Sequence, residues 1–119
     1  MHDKRQLQKL QELTHQLVSK SEILNIDLNS KIPEERGMIG VRLSELYSLR
    51  MAVVTISTVL NMYSRDVDKM IKSFDQFYSS TYQGELTNIT HGSYILTDFR
   101  NEYEKLQEKI SVSLLKGGS

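Results

Sequence analysis

Few residues in this chain could do chemistry, and their spacing decides what they could do. His2, His15 and His91 are the only histidines, and there is no cysteine. Without cysteine, disulfides, thiolate metal sites and cysteine nucleophiles are excluded. Catalytic zinc needs about three protein ligands and an open position, and no H-E-x-x-H spacing gathers these histidines, which read as solvent-facing. Asp66 and Asp68 lie close together, with Asp75 two turns on. Calcium, however, takes its oxygen ligands from alternating positions of an open loop with a central glycine. These aspartates fall in a helical pattern beside Arg65, Lys69 and Lys72, which reads as a solvated face. Glu102, Glu104 and Glu108 have the residue type of acid/base catalysts, but Arg100, Lys105 and Lys109 beside them make helix-surface ion pairs the better account.

The remaining motifs are incomplete. His91-Gly92-Ser93 lacks the surrounding G-x-S-x-G of a nucleophile elbow. Gly37-Met38-Ile39-Gly40 lacks the lysine and the preceding strand of a phosphate loop. Asn88-Ile89-Thr90 fits the glycosylation sequon without a secretory signal to accompany it. The aromatic residues Tyr63, Phe74, Phe77, Tyr78, Phe99 and Tyr103 have the types that line ligand pockets, but at helical spacing they read as core. The expectation is therefore a protein that is not an enzyme, with no catalytic residue, no cofactor and no metal.

Composition narrows the class further. The chain has 119 residues, one domain's worth, of which 39% are hydrophobic and 25% charged. Fifteen basic residues balance fifteen acidic ones, and the balance is close within 1–36, 37–79 and 80–119, so no segment is reserved for a nucleic acid. No run reaches the roughly 18 uncharged apolar residues of a membrane span. His2–Gln16 is too polar for a signal peptide. The expected location is the cytoplasm, or outside the cell without a cleavable signal.

The elements follow from periodicity. Leu7, Leu10, Leu17, Leu24 and Leu28 mark an amphipathic helix over about 3–31, with Thr14 and Ser21 in the two places where its seam should be apolar. Leu13, Val18, Ile23 and Ile26 are expected to widen its apolar face. Ile32-Pro33 stops it, because the residue before proline is pushed out of the helical region. Pro33 suits a first helical position, with Glu34 and Glu35 favourable to the dipole in the first turn. Gly37 and Gly40 then cost roughly 1 kcal/mol each relative to alanine, so Pro33–Gly40 is either a short turn of helix before a kink or a loop, and the helix is firm by Val41.

From there the pattern is unbroken. Leu46, Leu49, Val53, Ile56, Leu60, Tyr63, Val67, Met70, Phe74 and Phe77 alternate at three and four, and none is skipped. One helix over 34–79 is predicted, its heptad part about 48 Å long. No charge lies between Arg50 and Arg65, and Met51, Val54, Thr55, Thr58, Val59 and Met62 occupy the other faces. A helix apolar nearly all round is buried on more than one side. Val53–Val59 is rich in β-branched residues, yet the heptad runs through it and favours helix over strand. A loop over 80–92 and a last helix over 93–115, capped by Ser93 and carrying Leu96, Phe99, Tyr103, Leu106 and Ile110, complete the chain before Gly117-Gly118.

The fold expected is all-α: a single domain over 1–119, an elongated antiparallel helical hairpin or a three-helix bundle with a long central helix. The interaction or core face consists of the ten heptad residues with Phe99 and Tyr103. The last third also resembles the second half of the WXG-type helical-hairpin proteins of bacterial type VII secretion, through Gly92, Phe99 seven residues on, Tyr103 and the amphipathic helix. The resemblance covers about 30 of the 119 residues. Thr90 stands where that family has tryptophan, and Gln107 stands where an acidic residue would complete a secretion motif beginning at Tyr103. The resemblance implies a small helical protein that pairs with, or is co-secreted with, larger effectors. Two functions are expected from these observations. The first is a non-catalytic assembly protein that binds partner helices through the heptad face, as a homodimer or a heteromeric complex. The alternative is a chaperone, adaptor or co-secreted partner of a type VII or type III effector.

Overall fold

The structure is a computed structural model that describes residues 2–60, 63–82 and 89–116, with side chains for 4–60, 63–81 and 95–116. Its elements are α1 (His2–Leu28), α2 (Pro33–Arg36), α3 (Ile39–Leu60), α4 (Ser64–Tyr82) and α5 (Ile89–Leu115). Among the described residues the molecule is all-helical, and Val53–Val59 is helix within α3.

α1 stops at Leu28, three residues before the expected end, with the Asn29 side chain donating to the Asn25 carbonyl at 2.7 Å. Proline opens α2, which is one turn long, with Glu34 and Glu35 at its start. The Gly37 N–H closes that turn on the Pro33 carbonyl at 2.9 Å. α3 is established from Ile39, before the glycine at 40 can interrupt it.

The long central helix expected over 34–79 is not one element. α3 ends at Leu60, α4 begins at Ser64, and Tyr63 between them has φ 58°. A left-handed conformation costs a bulky L-residue about 1–2 kcal/mol. The cost is offset because α4 folds back beside α3 and the two halves of the heptad stripe face a common core. Asn61 and Met62 lie outside the described residues. The third segment also differs from expectation. α4 runs to Tyr82 and α5 starts at Ile89, so positions 80–82 and 89–92 of the expected loop are helical. His91 and Gly92 fall inside α5, and Ser93 is an interior residue and not its cap. Residues 83–88, Asn88 of the sequon among them, and Gly117-Gly118 lie outside the described residues.

α1, α3, α4 and α5 each pack on two neighbours, in the order α1–α3–α4–α5 and back to α1. Every pairing is antiparallel. Lys20 meets Glu45 and Asp27 meets Arg42 between α1 and α3, while Arg50 meets Asp75 between α3 and α4. Asp66 meets Lys109 between α4 and α5, and Glu22 meets Arg100 between α1 and α5. The result is an up-down-up-down arrangement of 48 × 23 × 20 Å.

The core is the union of the helix stripes. Leu46, Val53, Leu60, Val67, Met70, Phe74 and Phe77 are buried, with Leu49, Ile56 and Tyr63 packed at its edge. Phe99 is buried and Tyr103 half-buried on α5. Phe74 meets Phe99 edge-on, ring centroids 5.4 Å apart. The two hydroxyls in the α1 seam are fully buried and satisfied locally. Thr14 donates to the Leu10 carbonyl at 2.8 Å and Ser21 to the Leu17 carbonyl at 2.7 Å. Leu13 and Val18 join the core, but Ile23 and Ile26 do not. Ile26 is 64% exposed, because the α1 stripe facing α3 and α5 is only as wide as those two neighbours.

Two substitutions separate core from surface. Phe74→Ala should cost about 3–5 kcal/mol in urea unfolding, because it empties a fully buried site between α4 and α5. Tyr47→Ala, on the outer side of α3, should stay within about 0.5 kcal/mol of the parent.

Candidate interaction surface

The outer surface of the four packed helices divides into three charged faces and one without charge. On α1 the exposed positions include Lys4, Arg5, Lys9 and Glu12; on α4, Arg65, Asp68, Lys69 and Lys72; on α5, Asp98, Arg100, Glu104, Lys105, Glu108 and Lys109. The exposed positions of α3 are Gly40, Val41, Ser44, Tyr47, Ser48, Met51, Val54, Thr55, Thr58 and Val59. None is charged. Val41 is 49% exposed, Tyr47 54%, Met51 52% and Val59 61%, so large apolar groups meet solvent along the whole helix. Thr55 and Thr58 turn their hydroxyls back to the Met51 and Val54 carbonyls, both at 2.9 Å, which leaves methyl groups on the surface.

The charges of α3 are spent inside the molecule. Arg42 reaches the buried Asp27 at 3.2 Å. Glu45 pairs with Lys20 at 2.7 Å, and the hydrogen bond to that ammonium holds the Glu45 carboxyl below the usual carboxylate range. Arg50 grips Asp75 with two bonds, Nε to Oδ1 at 2.6 Å and Nη2 to Oδ2 at 2.8 Å. That bidentate bond to the carboxylate raises the Arg50 guanidinium above its ordinary value. The flanks of the uncharged face therefore offer a partner no free formal charge on α3.

The sequence-derived site residues lie elsewhere. Leu46 to Phe77, Phe99 and Tyr103 are brought together, but as the chain's own core or its edge. The other candidates do not converge. His15 is exposed, its Nδ1 3.3 Å from the Tyr103 hydroxyl, whose ionisation burial displaces upward. Asp66 pairs with Lys109 at 2.7 Å and Glu102 with Lys105 at 3.4 Å. An open depression of about 550 Å³ lies between the start of α4 and the end of α5, lined by Tyr63, Asp66, Lys69, Glu102, Lys105 and Lys109 among others. Its charges alternate in sign and selects no ligand class. Among the described residues no group of three or more His, Asp or Glu side chains is placed to hold a metal ion.

Val41 and Tyr47 were not singled out by sequence. The signal that could have found them is the absence of charge at one helical phase from Gly40 to Val59. That apolarity has a second consequence. Among the described residues, Pro33–Leu60 is long and apolar enough to cross a membrane by length and composition. Its uncharged part within α3, Met51–Leu60, is only about 15 Å long against a hydrocarbon core of about 30 Å. No protein-family model, curated protein or solved structure matches the chain.

The Lys20–Glu45 pair gives a pH-dependent outcome. Glu45 has a lowered value in the folded chain, so its contribution is complete above the ordinary carboxylate range and is lost as pH falls through the lowered value. Lys20→Met should cost less than about 1 kcal/mol at neutral pH, because both side chains are about one-third exposed. The difference from the parent should shrink across that acid window, as read by urea unfolding at successive pH values.

Proposed function

We propose that this protein is a non-catalytic helical interaction protein, and that it docks the apolar side of a partner helix on the outer face of α3. The observation that carries the reading is the contrast between that face and the other three: Val41, Tyr47, Met51, Val54 and Val59 are exposed on a helix whose outer positions bear no charge. Exposed apolar residues scattered singly need no explanation, whereas a contiguous stripe marks an interface. Because Arg42, Glu45 and Arg50 are engaged within the chain, a partner is recognised by shape and apolar contact. The heptad face cannot take this role in the folded monomer, since its residues pack on one another.

A second reading, a chaperone or co-secreted partner of a type VII or type III effector, draws on the resemblance at Gly92, Phe99 and Tyr103. Phe99 is buried and Tyr103 half-buried, so both also support the bundle itself. Co-expression with an effector encoded beside this chain, followed by co-purification, is the measurement that favours it.

Met51→Glu tests the main reading. It should leave unfolding within about 0.5 kcal/mol, as surface substitutions do. It should weaken capture of partners from the native host at least about tenfold, because a charge is then desolvated at the centre of the contact. Lys72→Glu, on the outer side of α4, should leave capture unchanged. Equal capture by Met51→Glu would remove the α3 face from the proposal.

A further inference from the structure

The turn between α3 and α4 holds neither glycine nor proline, although Asn61 and Ser64 are turn-compatible residue types. No glycine or proline lies between Val41 and Tyr82. Yet α3 stops at Leu60, α4 starts at Ser64, and Tyr63 is held at φ 58°, a region that a bulky L-residue rarely enters. The core spacing ignores the turn. Leu60, Tyr63 and Val67 keep the three- and four-residue steps that precede and follow them. A straight helix from Ile39 to Tyr82 would carry the same side chains on one stripe. The spacing of the core residues is thus compatible with a continuous helix as well as with the observed turn.

We propose that this protein exchanges its α4–α5 hairpin with a second copy of itself: the α3–α4 junction straightens, and each α4–α5 hairpin packs on the other copy's α1–α3 hairpin. The division of contacts supports this. Lys20–Glu45 and Arg42–Asp27 lie within the first hairpin; Asp66–Lys109 and Phe74–Phe99 lie within the second. These travel with their hairpins. The contacts between hairpins change chain: Arg50 with Asp75, Glu22 with Arg100, His15 with Tyr103, and the Tyr78 hydroxyl with the Leu43 carbonyl. They re-form between the two copies with the same chemistry. Exchange therefore keeps every one of these interactions, releases the left-handed residue at each junction and extends the helix. What opposes it is the entropy of association, so protein concentration sets the balance. The outer face of α3 stays free in both forms, which separates this inference from the proposed function.

Two substitutions at one position test it. Tyr63→Gly and Tyr63→Ala both remove the phenol but have opposite backbone preferences. Glycine accepts the left-handed conformation and weakens a continuous helix, whereas alanine does the reverse. Each dimer straightens two junctions, so the association constant of Tyr63→Ala should exceed that of Tyr63→Gly by at least about 100-fold in light scattering across a concentration series. A cysteine pair reports which chain is contacted, since the protein has no other cysteine. In the Arg50→Cys, Asp75→Cys variant with Tyr63 intact, the fraction of short bis-maleimide cross-link between chains should rise with concentration, the spacer covering the reach of the Arg50 and Asp75 side chains. Equal association of the two Tyr63 variants, monomers throughout, or a dimer whose 50–75 cross-link closes within one chain would each overturn the proposal. Should the Tyr63 variants fail to fold, the cysteine pair decides alone: bonds only within chains at every concentration refute exchange.

Discussion

The structure depends on covering one apolar stripe. The core positions from Leu46 to Phe77 form a line too long for this chain to bury as a straight helix. From Ile39 to Tyr82 such a helix would extend about 66 Å, while α1 and α5, of 27 residues each, reach only about 40 Å. Over much of its length a single neighbour would cover it, with apolar groups left in water. Folding back at Tyr63 sets α4 beside α3, so the stripe buries one half of itself against the other. One residue in a left-handed conformation costs little beside the side chains thus enclosed, each of which contributes about 1.5–3 kcal/mol.

The same return determines where charge ends up. Once α3 and α4 are antiparallel, Arg50 lies opposite Asp75, and α1 offers Lys20 and Asp27 to Glu45 and Arg42. The partly exposed pairs among these add little stability each, but they fix which side of α3 looks outward. The charged residues turn toward neighbours, and the residual face is Val41, Tyr47, Met51, Val54 and Val59 amid serines and threonines. A helix that is apolar nearly all round can have only part of its surface buried by two neighbours, and the remainder becomes the least polar surface of the molecule.

Local hydrogen bonding explains why polar residues are tolerated inside. Thr14 and Ser21 occupy leucine-like positions of α1 at full burial, each returning its hydroxyl to a carbonyl one turn back. Thr81 does the same toward Phe77 at the end of α4. The buried Asp27 is the exception, paired across to Arg42 of α3; elsewhere the core is specified mainly by apolar shape and by the Phe74–Phe99 contact.

Much of this was written in the sequence. Helix type, the stop near Pro33 and the buried heptad residues all follow from three- and four-residue periodicity and from proline, which act over a few residues. The break at Tyr63 did not announce itself, because Asn61 and Ser64, which favour turns, sit within an unbroken heptad that holds neither glycine nor proline. Its cause is the gain from packing α4 on α3, a contact between distant parts of the chain. Nor could periodicity say that Ile26 would face water while Leu13 and Val18 would not, since neighbour positions set the width of a buried stripe. The outer face of α3 was half legible: the missing charge is visible in the sequence, but which apolar residues remain exposed was decided only when α1 and α4 took their places beside it.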